Sequence, residues 1–260
     1  MRARYDQHFL IDPSVVDRIA GALPVDGRRV LEIGPGRGVL TRALLDRGAT
    51  VIAVEIDSEL VLALKDEFCQ EIEAGQLEII HGDAVSCPLP SFEIVIANLP
   101  YSASSPITFR LLETGFEVAV LMYQWEYARK MMVPAGTADA SRLSVMVQAH
   151  AKVKPLMEIS PRAFWPSPEV WSMVVRLTPI DPPVPIADKQ TFSLLVRTLF
   201  SHRRKKVRNC LKSGKGIFGE DQITALIDSL DEATLSARPE NLSLQQFIEL
   251  ANTLSAGMKR

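Results

Sequence analysis

The chain has 260 residues, 47% hydrophobic and 23% charged, which is ordinary for a globular protein and long enough for a full α/β domain with a small appendix. Its formal net charge of −2 excludes a global pull toward nucleic acid, so any such attraction has to come from a local patch. Cys69, Cys87 and Cys210 are widely spaced, without a CxxC pair or a Cys/His cluster; this argues against a zinc or other metal site and reads as unpaired thiols in a reducing cytoplasm. The opening Met1-Arg-Ala-Arg-Tyr-Asp6 has no apolar run behind it and does not read as a signal peptide. No stretch approaches the roughly 18 apolar residues of a membrane span.

The first part of the chain alternates strands and helices. Asp12-Pro13 can cap and open a helix with Val15, Val16, Ile19, Ala20 and Leu23 on one face. Apolar runs at 29–34, 50–55, 77–81, 92–97 and 118–122 read as buried parallel strands, and 153–159 and 171–177 as a closing pair. Helices are expected over 39–47, from a cap at Ser58, and over 141–151. The alternation implies an α/β fold, a mostly parallel seven-stranded sheet covered on both faces. Thr178-Pro-Ile-Asp-Pro-Pro-Val-Pro185 reads as a linker, because its prolines exclude helix and central strand. Beyond it only helices are expected, over 189–200, 203–211, 221–229 and 243–254. The division is therefore 1–180, a catalytic α/β domain, and 181–260, a small all-helical domain.

Gly34-Pro-Gly36-Arg-Gly38 follows the first long strand and precedes a helix, where glycines let the backbone approach a ligand closely. Glu55 ends the next strand, where a carboxylate can accept from two ribose hydroxyls. Asp83, before Ala84, follows the third and can accept from the amino group of an adenine. These residues suit NAD or S-adenosylmethionine equally well.

Asn98-Leu99-Pro100-Tyr101 follows the fourth strand and separates the two. The N6 amine of adenine is a poor nucleophile because its lone pair is delocalised into the ring. Acceptors on its two N–H groups, the Asn98 side-chain oxygen and the Leu99 carbonyl, can draw the nitrogen toward tetrahedral geometry. Pro100 fixes the chain so that both converge, and Tyr101 offers a face on which an extruded base can stack. Methyl transfer from a sulfonium then depends on positioning and electrostatics, without a strong general base.

On these residues, and on Gln7-His-Phe-Leu10, Ser104-Ser-Pro-Ile107, Arg142-Leu-Ser-Val145, Phe164-Trp-Pro166, Phe200-Ser-His-Arg-Arg-Lys205 and Arg238-Pro-Glu-Asn-Leu242, the chain resembles the rRNA adenine N6,N6-dimethyltransferase family over nearly its whole length. The resemblance implies a Rossmann-like S-adenosylmethionine-dependent methyltransferase fold. It also implies dimethylation of two adjacent adenosines near the 3′ end of small-subunit rRNA during biogenesis of that subunit. The family's cofactor residues map onto His8, Leu10, Gly34, Glu55, Asp83 and Asn98, and its stacking positions onto Tyr101 and Phe164. His8 stands where the family usually has Asn, Ser167 where a proline is common, and Trp171 where a small or acidic residue is usual. The basic run Arg203, Arg204, Lys205 and Lys206, with Arg208, is expected to meet RNA phosphates. The implied partners are small-subunit rRNA and the pre-mature small ribosomal subunit, with a monomeric, cytoplasmic protein and no membrane. Other readings compete: a relative acting on large-subunit rRNA, a DNA adenine methyltransferase, against which the lack of a target-recognition segment argues, and an RNA-binding assembly factor without catalysis. The intact Asn98–Tyr101 segment argues against the last.

Overall fold

The computed structural model describes residues 8–258; Gln7, first residue of one of the family-like motifs, lies outside them. Seven strands form one sheet: β2 (Arg29–Ile33), β3 (Thr50–Glu55), β4 (Leu77–His81), β5 (Ile94–Asn98), β6 (Val118–Gln124), β7 (Ala151–Ile159) and β9 (Ser172–Pro179). Their spatial order is β4-β3-β2-β5-β6-β9-β7. The five strands from β4 to β6 are parallel, and β9 runs antiparallel to β6. This is the mostly parallel seven-stranded sheet expected. The chain moves outward from β2 through β3 to β4, then returns to start β5 on the other side of β2. That reversal places a crevice beyond the carboxyl ends of β2 and β5, where open α/β sheets bind ligands.

The central strands form because their side chains are apolar on both faces: Val30, Leu31 and Ile33, then Val51, Ile52, Ala53 and Val54, are all essentially inaccessible. The helices of this part are α1 (Pro13–Ala20), α2 (Val39–Leu45), α3 (Ser58–Glu67), α4 (Cys69–Glu73) and α5 (Ser104–Thr114), followed by α6 (Trp125–Met132). The Asp12 carboxylate accepts from the Ser14 and Val15 amides and starts α1, whose Val15, Val16, Ile19 and Ala20 are buried. At α3 the cap is Asp57, which accepts from the Glu59 amide, rather than Ser58, which is already helical. A second, two-stranded sheet pairs β1 (Phe9–Leu10) with β8 (Phe164–Trp165), antiparallel.

The chain divides into two compact units, 1–128 with 152–179, and 129–151 with 180–260. The segment 129–151, expected in the α/β part, groups instead with the C-terminal helices. Its α7 (Arg142–Gln148), opened by a Ser141–Ser144 capping box, ends before the His150 carbonyl, which accepts from the Ile180 amide, and the His150 ring lies 6.1 Å from that of Phe192. The other helices are α8 (Lys189–Ser201), α9 (Val207–Ser213), α10 (Lys215–Phe218), α11 (Glu220–Ser229), α12 (Glu232–Ser236) and α13 (Leu244–Met258). Phe192, Leu195, Leu199, Phe247 and Ile248 are buried among them. The linker is held to α13 where Asn252 donates to the Pro185 carbonyl and accepts from the Ala187 amide. The expected helix from Arg203 starts only at Val207: residues 202–205 form a turn in which Lys205 donates to the His202 carbonyl. Among the described residues no helix is long and apolar enough to cross a membrane.

Candidate active site

The loop Gly34–Gly38 leaves β2 with φ of 69°, 58° and 76° at its three glycines. The Gly34 amide donates to the Val54 carbonyl, tying the loop to β3. A Cβ on Gly36 would lie 3.0 Å from the Phe9 ring, so glycine there lets β1 close down on the loop. Gly38 does not line the cavity beside the loop. It turns the chain into α2, and a Cβ there would lie 2.5 Å from the Phe68 ring. Gly38→Ala is therefore expected to cost about 2 kcal/mol through left-handed strain and overpacking, which at this size lowers Tm by several degrees. An unchanged thermal unfolding curve would contradict that placement.

The cavity brings together His8, Leu10, Gly34, Gly36, Glu55, Asp83, Ala84 and the whole Asn98–Tyr101 segment. Glu55, only 4% exposed, accepts from the Gly36 amide at 3.2 Å and from the Ile56 and Asp57 amides at 2.9 and 3.0 Å. Burial pushes its carboxyl above the usual range, while the Asp57, Gly36 and Ile56 amides act against the rise. Asp83 accepts from the Val85 amide through Oδ1, and Arg110 of α5 donates to the Ala84 carbonyl. The third strand's loop is thus held from two sides.

Asn98 ends β5, and its Nδ2 donates to the His8 carbonyl at 3.3 Å. That bond orients the amide so that Oδ1 remains as the acceptor. Pro100, at φ −61° and ψ 127°, turns the chain into a short 3-10 turn starting at Tyr101. The Tyr101 hydroxyl shares a 2.6 Å hydrogen bond with Ser172, and its ring lies 5.6 Å from that of His8. His8 Nδ1 donates to the Pro166 carbonyl at 2.7 Å. The departure from Asn at His8 therefore gives a ring that touches both Tyr101 and the β8 segment. Nothing in the structure explains Trp171, which is 52% exposed.

Two expectations change. Phe164 is 2% exposed, packs in the core and does not line the cavity, so its ring offers no face to a base; its neighbour Trp165 is the exposed one, at 48%. Alternation along a strand sends adjacent side chains to opposite faces, and here Phe164 faces inward. In the basic run, Arg203 to Lys206 are exposed. Arg203 already donates to the Ala138 carbonyl, and Arg208 pairs with Glu232 at 2.6 Å. This leaves Arg204, Lys205 and Lys206 as the stronger candidates for phosphate contact. Among the lining residues not expected from the sequence are Glu32 and Arg37, while Phe9 belongs to the family-like opening motif. The Arg37 guanidinium lies 4.9 Å from the Phe9 ring centre and 5.5 Å from that of Trp165. Among the described residues no group of three or more His, Cys, Asp or Glu could hold a metal ion.

The cavity presents buried carboxyl groups, Glu55 and Glu32, and no ion pair to either occurs among the described residues. Such a site suits a ligand carrying both hydroxyls and positive charge, which fits S-adenosylmethionine. The sheet order and the crevice at its reversal define a Rossmann-like methyltransferase fold. The profile of the ribosomal RNA adenine dimethylase family matches residues 1–255. A Methanospirillum hungatei JF-1 protein described as a probable ribosomal RNA small subunit methyltransferase A is 52% identical over 256 residues, 98% of this chain and 100% of that one. A dimethyladenosine transferase from Plasmodium falciparum superposes with a TM-score of 0.77 at 29% identity, covering 94% of this chain and 96% of that one. The 23S rRNA methyltransferase ErmE gives 0.64 at 26% identity, covering 95% and 99%. The chain belongs to the ribosomal RNA adenine dimethylase family and is an rRNA adenine dimethyltransferase.

Proposed function

We propose that this enzyme uses S-adenosylmethionine to dimethylate the N6 amines of two adjacent adenosines near the 3′ end of small-subunit rRNA, acting as a cytoplasmic monomer on the pre-mature small subunit. The observation that carries the chemistry is the Asn98 amide, turned by its bond to the His8 carbonyl so that Oδ1 accepts. Bound S-adenosylmethionine supplies a methyl group activated on a sulfonium. Asn98 Oδ1 and the Leu99 carbonyl accept from the adenine amine and raise the availability of its lone pair. Tyr101, fixed by Ser172, stacks the base, a contact worth roughly 1–3 kcal/mol. Glu55 and Asp83 hold the ribose and adenine of the cofactor. Arg204, Lys205 and Lys206 meet RNA phosphates.

The small-subunit target is favoured by the 52% identity to a relative so described, against 26% to the 23S enzyme. Radiolabelled methyl transfer to separated small and large subunits, both unmethylated, tests it. Label in the small subunit alone is expected, and label in the large subunit would overturn it.

Glu55→Ala is expected to weaken cofactor binding by about 1.5–3 kcal/mol, the range of hydrogen bonds to a charged group. The same change leaves the Gly36, Ile56 and Asp57 amides without their acceptor, so a modest loss of stability accompanies it. Calorimetric titration with S-adenosylmethionine measures the first effect. Unchanged affinity would remove Glu55 from the site.

A further inference from the structure

Arg37, in the glycine loop, lines the cavity, is exposed, and has no task in the chemistry above. Its guanidinium lies 4.9 Å from the ring centre of Phe9 and 5.5 Å from that of Trp165. Phe9 and Trp165 are directly opposed in the antiparallel pairing of β1 with β8, so both side chains leave the same face and grip the guanidinium between them. Among the described residues Arg37 joins no ion pair. Trp165 itself lies just outside the cavity and is 48% exposed, whereas Trp125 has its indole Nε1 engaged by Glu158.

This pair is continuous with the segment assigned to the target base. The residue after Trp165 is Pro166, whose carbonyl accepts from His8 Nδ1 at 2.7 Å, and the His8 ring lies 5.6 Å from that of Tyr101. The two ends of the cavity differ in sign: its buried acids are Glu55 and Glu32, while Arg37 puts a cation at the exposed rim. An anion is therefore accepted at the rim and repelled from the floor. A lone exposed aromatic is ordinary. One that holds an unpaired guanidinium at the mouth of a cavity has the two parts that single-stranded RNA requires, a face for a base and a cation for its phosphate.

We propose that Trp165 and Arg37 hold the nucleotide next to the adenosine being methylated: the Trp165 indole stacks on its base, and the Arg37 guanidinium meets the phosphate that joins the two. This rests on the small-subunit rRNA reading above. Drawing one adenosine out to Tyr101 strips its neighbour of a stacking partner, and Trp165 replaces that partner. Stacking uses the face of the base and not its N6 substituents, so the neighbour is held equally well before and after its own methylation. Trp165 and Arg37 are thus positioning residues, which act on the strand and not on the reacting amine.

Steady-state methyl transfer to unmethylated small ribosomal subunits, at saturating S-adenosylmethionine, compares the full-length parent with Trp165→Ala, Trp165→Phe and Arg37→Gln, beside calorimetric titration of the donor into each. Trp165→Ala is expected to raise KM for the ribosomal subunits about tenfold, the scale of one base stacked on an aromatic ring, with kcat falling much less. Trp165→Phe keeps a ring and is expected to recover most of the loss. Arg37→Gln changes an exposed side chain without touching β8; it is expected to raise KM several-fold at low salt, and by less as salt rises. Donor affinity is expected to stay at the parental value in all three. Parental KM in Trp165→Ala and Arg37→Gln, beside an active parent, would overturn the holding site and leave the methylation reading intact. A Trp165→Phe protein as poor as Trp165→Ala would reduce Trp165 to packing, and a loss of donor affinity in Arg37→Gln would give Arg37 to the donor's carboxylate; either overturns the proposal. No transfer to small ribosomal subunits by the parent would remove the substrate reading and the holding site together.

Discussion

Asn98→Ala is expected to lower kcat by about 10²–10³-fold, the scale for losing one positioned group that stabilises developing charge. The loss falls on turnover because the hydrogen bond from the adenine amine to Oδ1 matters most as the nitrogen becomes tetrahedral. An interaction made mainly in the transition state lowers kcat without a matching rise in KM. The proposed donor contacts at Glu55 and Asp83 are untouched, so donor affinity is expected to change much less than kcat. The His8 carbonyl loses its Nδ2 partner in the variant, but a carbonyl at the cavity wall can take water instead. Single-turnover methylation of unmethylated small subunits, run beside a donor titration, separates the two quantities. Near-parental turnover would remove Asn98 from the chemistry.

Reversing charge at Arg204, Lys205 and Lys206 together is expected to weaken RNA binding by roughly 10–10²-fold near 0.1 M salt, and to flatten the dependence of log affinity on log salt by about two to three units. These three are exposed on the turn between α8 and α9, and none carries the carbonyl bond or ion pair that engages Arg203 and Arg208. Donor affinity is expected to stay the same, because the turn belongs to the helical unit and the cavity to the α/β unit. Filter binding over a salt series reads both effects. Identical slopes for variant and parent would return the turn to a solvated surface.

The strands were legible because a buried parallel strand is an almost uninterrupted apolar run: the expected bounds of β3 and β4 coincide with those observed. Gly34, Glu55, Asp83 and Asn98 were legible for a related reason, since they lie at or just past the carboxyl ends of β2 to β5, where the fold gathers ligand contacts; His8 and Leu10, at β1, were legible only through the family resemblance. The remainder depended on contacts between distant parts of the chain. Lys and Arg favour helix, which made 203–206 look helical, yet the chain turns there before Val207 is buried. Gly38 shares the spacing of its two neighbours, but its reason is the Phe68 ring at the end of α3. Phe164 and Trp165 are adjacent aromatics, and only the register of β8 against β1 decides which one faces the core. Glu32 lies within an apolar strand run, and nothing local in the sequence marks it as a cavity residue. The segment 129–151 lies between β6 and β7 in sequence, so nothing local assigns it to the helices it joins.

The most direct test of the account is nucleoside mass spectrometry of previously unmethylated small subunits after reaction with the protein and S-adenosylmethionine, with the modified positions mapped. In the proposed mechanism two acceptors bind the unmethylated amine; after one transfer a single N–H remains, and stacking on Tyr101 would retain the base. N6,N6-dimethyladenosine is expected at two adjacent positions near the 3′ end of the small-subunit rRNA. N6-monomethyladenosine alone at completion, or dimethylation confined to the large subunit, would contradict it.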